Sequence, residues 1–283
     1  MLEEHDRSEK ITSFKKLEFK GVGGKDVYNI TSPFESGGEK IIAGRVESRE
    51  SERDSKIMFF EFPSLELIRG AGFDMQDPFV NFIGDEIVLG GVEIFLKGKE
   101  LLYRSVFYRG KDIFNLKKFA KSPIGMKDIR LIELNDKRIG IFTRPEGKIG
   151  FGIISNLDEL NEETIKNADI IDNMFGNNEW GGVNEVYLLD KDKMGVLAHI
   201  ACFDDKNGKH YYPIAFIFDF EKRKAGKIKI IAVRKELGKG ESKHGFVKDV
   251  IFPGGLIIEN DRAKLYVGAG DAEAYEIVIK NPF

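Results

Sequence analysis

Apolar positions fall in short runs, rich in β-branched and aromatic residues and bounded by Gly, Asp, Asn or Pro, which is the pattern of strands. The stretch with helical character is LDELNEETIKNADII, residues 157–171. Five strands follow a similar lead-in: IIAGRVE from Ile41, IVLGGVE from Ile87, IGIFTRP from Ile139, MGVLAHI from Met194 and LYVGAGD from Leu265. Their starts lie 46, 52, 55 and 71 residues apart. Ahead of four of them stands a polar or proline landmark. Asp77 lies seven residues before Gly84, Asp128 seven before Asn135, Asn184 seven before Lys191 and Pro253 seven before Asn260. Asn29 takes the same part more loosely before Ile41. A further strand follows each time: IMFFEF, SVFY, IGFGIIS, PIAFIFDF and YEIVI.

A repeat of this size, holding three or four strands, is a propeller blade. Five repeats over 283 residues predict an all-β fold, a five-bladed β-propeller that takes up residues 1–283 as one domain. The N-terminal segment around 15–21 is expected to close the ring by joining the last blade. A β-sandwich is the alternative, and it leaves the recurring landmarks without a cause. Innermost strands of a propeller converge on a central channel, and the loops leading into them line one mouth. Asn29, Asp77, Asp128, Asn184 and either Asp249 or Pro253 are therefore expected around one cavity.

Composition narrows the function classes. Lys and Arg total 44 against 47 Asp and Glu, a net charge of −3, without the basic surplus of a nucleic-acid binder. The N-terminal MLEEHDRSEK is polar, no run approaches membrane-helix length, and a cytoplasmic protein without a membrane partner is expected. The single cysteine, Cys202, excludes internal disulfides and thiolate zinc clusters. Gln76 is the only glutamine, and a charge-rich, amide-poor composition fits a heat-adapted source.

In IIAGRVE, the two-residue period of a strand places Arg45 and Glu47 on one face. Arg45 there has the chemistry to donate a bidentate contact to a ligand oxyanion or to a catalytic carboxylate. Arg49, Glu50, Glu52 and Arg53, which follow, read as an ionic loop or helical turn at the rim. Asp77 precedes a proline that fixes an extended entry; it is placed for general acid work, or else Asp-Pro is turn punctuation. Lys127 and Arg144 are candidates to hold an anion such as phosphate, while Arg130, in step with Asp128, reads as a charged blade edge. His199 lies in an apolar strand, where a core histidine is the simpler reading. Asp271 ends what is expected to be an innermost strand, after small residues that let a ligand approach the backbone or that mark a tight turn. There is no P-loop, no HExxH, no GxGxxG before a helix and no His cluster with metal-ligand spacing, so no metal and no organic cofactor is expected.

Taken in register, these stretches resemble glycoside hydrolase family 130, the mannoside phosphorylases and β-mannosidases, over about residues 29–279. The family's ARVE-type strand is matched by AGRVE at 43–47, and its E-D-P-R motif by Gln76-Asp77-Pro78-Phe79. Its K-D-x-x-L and H-R-P segments are matched by KDIRL at 127–131 and FTRP at 142–145, and its Y-H-G strand by AHI at 198–200. Its F-P-x-G and Y-Y-G-A-A-D are matched by FPGG at 252–255 and YVGAGD at 266–271. The resemblance implies that Asp77 is the general acid of an inverting cleavage, protonating the glycosidic oxygen through a substrate hydroxyl while phosphate or water attacks the opposite face. It matches Lys127, Arg144 and His199 to phosphate-holding positions, and Arg45 and Asp271 to the sugar pocket. Asn29, Glu47 and Asn184 are expected beside them as sugar contacts, with Trp180 as a stacking platform or a blade-edge tryptophan.

The departures bear on mechanism. Phe79 stands for the arginine of E-D-P-R and Thr143 for the histidine of H-R-P, and the lysine upstream of Y-H-G is missing from NNEWGGVNE. A missing phosphate clamp weakens phosphorolysis, and hydrolysis needs a base, for which Glu185, Asp128 and Glu47 are candidates. The expectation is a glycosidase or phosphorylase acting on a small glycoside, a mannoside in the first instance, with inorganic phosphate or water as co-substrate. The alternatives are a propeller that only binds a sugar or polyol, and a protein-interaction scaffold.

Overall fold

The computed structural model describes Leu2, His5 and residues 11–283. Strand pairing gives four sheets, the largest of them two antiparallel units joined by a short parallel pairing, so that five antiparallel units follow one another. In the first, Asp26–Tyr28 and Phe34–Ser36 both pair with Glu39–Glu47, followed by Lys56–Glu61 and Leu67–Phe73. The second runs Gln76–Ile83, Glu86–Lys97, Glu100–Gly110 and Lys117–Lys121, and the third Arg130–Glu133, Ile139–Thr143, Gly150–Ile154 and Asp169–Ile170. The fourth is Glu179–Leu188, Lys193–Phe203 and Lys209–Asp219, edged by Lys224–Ala225 and Lys229–Ile230. The fifth is Asp249–Glu259, Arg262–Ala269 and Glu273–Lys280, and its outer strand is Ser13–Lys16 from the other end of the chain. A short parallel bridge at His210 and Asp249 joins the fourth unit to the fifth.

Each unit touches the next, and Asp26–Tyr28 of the first packs on Arg262–Ala269 and Glu273–Lys280 of the fifth, so the succession closes on itself. The core follows from this stacking, because every neighbouring pair of units has its own apolar cluster. Phe59 and Leu89 meet between the first and second, Phe79 and Leu131 between the second and third, and Phe142 and Val196 between the third and fourth. Leu197 and Ile251 meet between the fourth and fifth, and Val27 and Tyr266 between the fifth and first. Blades covered on both faces need apolar residues on both, so Val196–Ala201 reads as a continuous buried run without alternation. Removing each such Leu, Ile or Phe from water is worth about 1.5–3 kcal/mol.

The structure corrects three expectations. The short helical stretch expected at 157–171 is shorter still, a 3-10 turn at Leu157–Glu159 and a helix at Glu162–Lys166. Asn161 and Asn167 are its caps, and the Asn161 side chain accepts from the Glu163 and Thr164 amides. The strands that line the central cavity, of about 630 Å3, are the landmark-bearing ones; Thr31, Val80, Leu131, Glu185 and Leu256 face it. IIAGRVE and its counterparts run second in each blade, and Asp271 follows a second strand. Arg130 is no blade edge: it is buried, its guanidinium 4.2 Å from the centre of the Phe79 ring.

Candidate active site at the channel mouth

The landmarks mark irregularities at one end of the inner strands. Asn29, Asp77 and Asp128 have φ of 45°, 52° and 58°, a left-handed conformation that Asn and Asp tolerate better than most residues. Asn184 sits at a register shift between Val183 and Glu185, and Gly254 at one between Pro253 and Gly255. A Cβ at Gly254 would fall 1.5 Å from the Ile30 carbonyl oxygen, so only glycine fits there. Asn29 precedes Ser36 by seven residues, the interval of the other four landmarks. Antiparallel pairing brings the ends of the second strands to the same mouth: Arg45 opposite Tyr28, His199 opposite Gly182, and Asp271 just beyond Ala269.

On the side of the first two blades, Asp77 accepts two hydrogen bonds on the same oxygen, Oδ1. One comes from Asn29 Nδ2 at 2.8 Å and one from Arg45 Nη1 at 3.1 Å. Burial favours the neutral acid, yet Arg45, Lys127 and the Asn29 bond outweigh it and hold the Asp77 pKa below the usual carboxylate range. Arg45 gives Nε (3.0 Å) and Nη2 (2.8 Å) to Glu47 Oε2. Glu47 is fully buried and also accepts from Tyr28, Ser55 and Lys243. Its oxygens are taken, so it orients Arg45 and presents nothing to the channel. Asp271 has no hydrogen-bond partner among the described residues; burial and the nearby Asp77 push its pKa up against Arg45 and Lys209.

On the side of the third and fourth blades, Arg144 Nη1 meets Asp128 Oδ2 at 2.6 Å, while its buried Nε has no partner. Burial raises and Arg144 and Lys127 lower the Asp128 pKa, leaving it well below the usual range. Lys127 makes no hydrogen bond or ion pair among the described residues. Burial disfavours its charge, but Asp128 and Asp77 outweigh that and raise its pKa. His199 Nδ1 donates to Asn184 Oδ1 at 2.8 Å, and Asn184 Nδ2 donates to the Pro253 carbonyl at 2.7 Å. Burial, opposed by Asp128 and reinforced by Arg144 and Lys127, drops the His199 pKa to about 3. The imidazole is thus neutral, with a lone pair on Nε2 that lies 3.9 Å from Asp128 Oδ2. Asn184 has both ends of its amide committed and serves as the orienting partner of His199. A Cβ at Gly182 would come within 3.0 Å of Arg144 Cδ and Asp128 Cβ, so the bare glycine lets these groups converge.

The other expected residues separate. Trp180 is half-buried and donates from Nε1 to Tyr211 Oη at 3.1 Å; Tyr211 stacks on His199 at 5.7 Å. Glu185 turns into the central cavity, where it accepts from Ser32, Tyr187 and the Leu256 amide and bonds none of the Asp77 group. Burial lifts its pKa to about 7. Sequence reasoning missed Tyr28, Ser55, Tyr211 and Lys243; the last lies in KGESKHG, a polar loop without any distinguishing signal. Among the described residues no group of three or more His, Cys, Asp or Glu is placed to hold a metal, and no helix is long and apolar enough to cross a membrane.

A ring of antiparallel blades with acids and cations at the inner-strand entries is the glycoside hydrolase family 130 type of fold. It is shared with the beta-1,2-mannobiose phosphorylase of Listeria innocua at 17% identity and a TM-score of 0.66, over 94% of each chain. Within that type, the chain belongs to the family described as protein of unknown function (DUF1861), whose profile matches residues 3–283. It is similar over its whole length to MPT-4, a mannose phosphorylase from Leishmania mexicana whose structure holds a phosphate ion, at 34% identity, a TM-score of 0.93 and 92% of that chain. It is similar in the same way to MPT-1, a GDP-Man-dependent mannosyltransferase from Leishmania mexicana, at 32% identity, a TM-score of 0.92 and 93% of that chain. No curated protein sequence matches it.

Proposed function

We propose that this protein is an inverting mannoside phosphorylase in which Asp77 is the acid–base residue and Lys127 and Arg144 hold phosphate. The observation that carries the reading is the pairing, at one mouth, of an acid bound through one oxygen only with a part-buried ammonium that has no hydrogen-bond or ion-pair partner among the described residues. The whole-length likeness to a mannose phosphorylase supports the sugar and the co-substrate. In phosphorolysis a phosphate oxygen attacks the anomeric carbon, the bond to the leaving sugar breaks on the opposite face, and Asp77 supplies the proton that the leaving oxygen takes up. The products are a sugar 1-phosphate and the shortened glycoside. Lys127 and the free Nε of Arg144 offset the charge of the anion, while neutral His199 accepts a hydrogen bond at Nε2 from a phosphate or sugar hydroxyl. Asp271, free and near Arg45, takes sugar hydroxyls, and Trp180 with Tyr211 forms the wall behind His199.

Water as the nucleophile would need a base, and the candidates are poorly placed. Asp128 is held by Arg144, Glu47 is saturated, and Glu185 belongs to the central cavity. One observation favours a second reading, transfer to an acceptor from an activated mannosyl donor. Asp77 is held ionised in the free protein, which suits it to remove a proton from an acceptor hydroxyl, as the similarity to a GDP-Man-dependent transferase also supports.

The test is sugar release from a panel of mannosides, with and without phosphate, beside Asp77→Asn. Phosphorolysis predicts a sugar 1-phosphate formed only with phosphate, and a loss of about 10²–10⁴-fold in the variant beyond what any fall in the folded fraction explains. Free sugar in both buffers would replace it with hydrolysis, and silence on glycosides with turnover of a nucleotide-activated mannose would replace it with transfer. Sugar binding without turnover of any of these would leave a binding module.

A further inference from the structure

The ionic stretch after Arg45 is tied to a loop from the far end of the chain. Arg49 pairs with Asp26 and, at 2.6 Å, with Glu241. Two residues on, the Lys243 amide donates to the Gly270 carbonyl at 2.8 Å, and its ammonium donates to Glu47 Oε1 and to the Ser51 carbonyl at 3.3 Å. The side chains of Lys243 and Glu47 are 2% and 0% exposed. A lysine is seldom buried so fully, and this one spans from the loop between the fourth and fifth blades to the second strand of the first.

Its place on Glu47 matters for what Arg45 can do. Lys243 and Tyr28 occupy Oε1, so Arg45 is left with Oε2 alone and binds it through Nε and Nη2. Nη1 is thereby spared and reaches Asp77 Oδ1. Were Oε1 free, the guanidinium could engage both carboxylate oxygens side-on, the geometry it prefers, and would be drawn away from Asp77. The structure assigns to Lys243 the role of a positioning residue for the Asp77 centre: it occupies one oxygen of Glu47 so that Arg45 stays on Asp77. This rests on the reading of Asp77 as the acid–base residue.

The charged and titratable groups around Asp77 are Arg45, Lys127, Asp128 and Asp271, with Asn29 as its neutral partner; those around Glu47 are Arg45, Lys243 and Tyr28, with Ser55. In Lys243→Met, Arg45 recedes from Asp77, so the Asp77 pKa rises. The expected result is an upward shift of the basic limb of the kcat profile, which follows loss of the proton from the acid, and a fall in kcat of about ten- to a hundredfold on the plateau, with KM for phosphate unchanged. Lys243→Arg is expected to restore both. Because Lys243→Met leaves Glu47 short of a partner, the double variant Glu47→Gln/Lys243→Met is made as well; it should recover Tm but not kcat. The Asp77 midpoint is also read directly by carboxyl 13C NMR on the free protein, its signal assigned by its loss in Asp77→Asn. An unchanged midpoint in Lys243→Met, with a rate lowered only in proportion to the folded fraction, would overturn the assignment. The NMR arm needs no substrate, so a wild type silent on every mannoside sinks the proposed activity while the Lys243 assignment is still decided by the midpoint.

Discussion

The two sides of the channel mouth use the same residue types in opposite ways. Around Arg45 the strong groups other than Asp271 are matched: Glu47 accepts from four side chains, and Arg45 divides its donors between Glu47 and Asp77. Across the mouth, Lys127 has no hydrogen-bond or ion-pair partner among the described residues, Arg144 keeps a buried Nε free, and His199 turns an unused lone pair inward. Even partial desolvation of an ammonium without a counter-ion in bonding contact carries a cost. In the proposed function the Arg45 side holds one geometry, and the Lys127 side is completed by the anion that arrives as co-substrate.

Breaking the matched side is expected to give the largest effect. Arg45→Met leaves Glu47 charged in a fully buried site with one cation fewer, and loss of one partner of such a pair costs about 3–5 kcal/mol. Urea unfolding should show this as a large drop in midpoint, with sugar 1-phosphate formation lost beyond what the unfolded fraction explains. If the unfolding free energy fell by less than about 1 kcal/mol, the hub would be looser than its hydrogen bonds indicate.

Lys127→Met does the same on the unmatched side and should behave differently. With no ion pair in bonding contact to break, only the longer-range attraction of Lys127 to Asp128 and Asp77 is lost, and the drop in urea midpoint should be small beside that of Arg45→Met. KM for phosphate should rise about tenfold or more, since a charge-assisted contact in a desolvated site is worth about 1.5–3 kcal/mol. Equal losses of stability in Arg45→Met and Lys127→Met would erase the distinction between the two sides.

Why the ring was readable in the chain and the division of labour was not has a physical reason. The seven-residue interval from landmark to turn is a local constraint, set by strand length, and it survives even at Asn29, where the inner strand is broken into Asp26–Tyr28 and Phe34–Ser36. The convergence of Arg45, Asp77, Lys127, Arg144 and His199 at one mouth follows from it. Which oxygen of Asp77 is free, and whether Glu47 faces the channel or a lysine 196 residues away, depends on contacts across the closing seam of the ring. A period of two places Arg45 and Glu47 on one face, but it cannot say that Glu47 is sealed beneath a loop. Likewise Arg130 alternates with Asp128 as a blade-edge residue would, and only the packing of the second blade on the third puts the Phe79 ring beneath it.

Glu185 provides the smallest and most selective test, because it lies outside both sides, in the central cavity. Its pKa is raised from 4.5 to about 7 by burial, so the fold favours its protonated form. A raised carboxyl contributes stability that is fully present below its unfolded pKa, declines as pH rises from there, and is gone once pH passes about 7. Asp77 and Asp128 are shifted the other way, so their contributions are lost only under acid conditions below this window. His210, held by Asp249 and Asp204 against the effect of burial, is raised and loses stability with rising pH in the same direction as Glu185. A wild-type profile alone therefore cannot separate them, but Glu185→Gln keeps His210 and removes one titration. The fall in urea midpoint between pH 5 and pH 8 should be shallower in the variant than in the wild type, with the Asp77-dependent rate little changed at pH 7. Parallel profiles would mean that the carboxyl reaches water through the cavity and ionises freely. A large loss of rate instead would carry Glu185 back to the mouth as a participant in the chemistry.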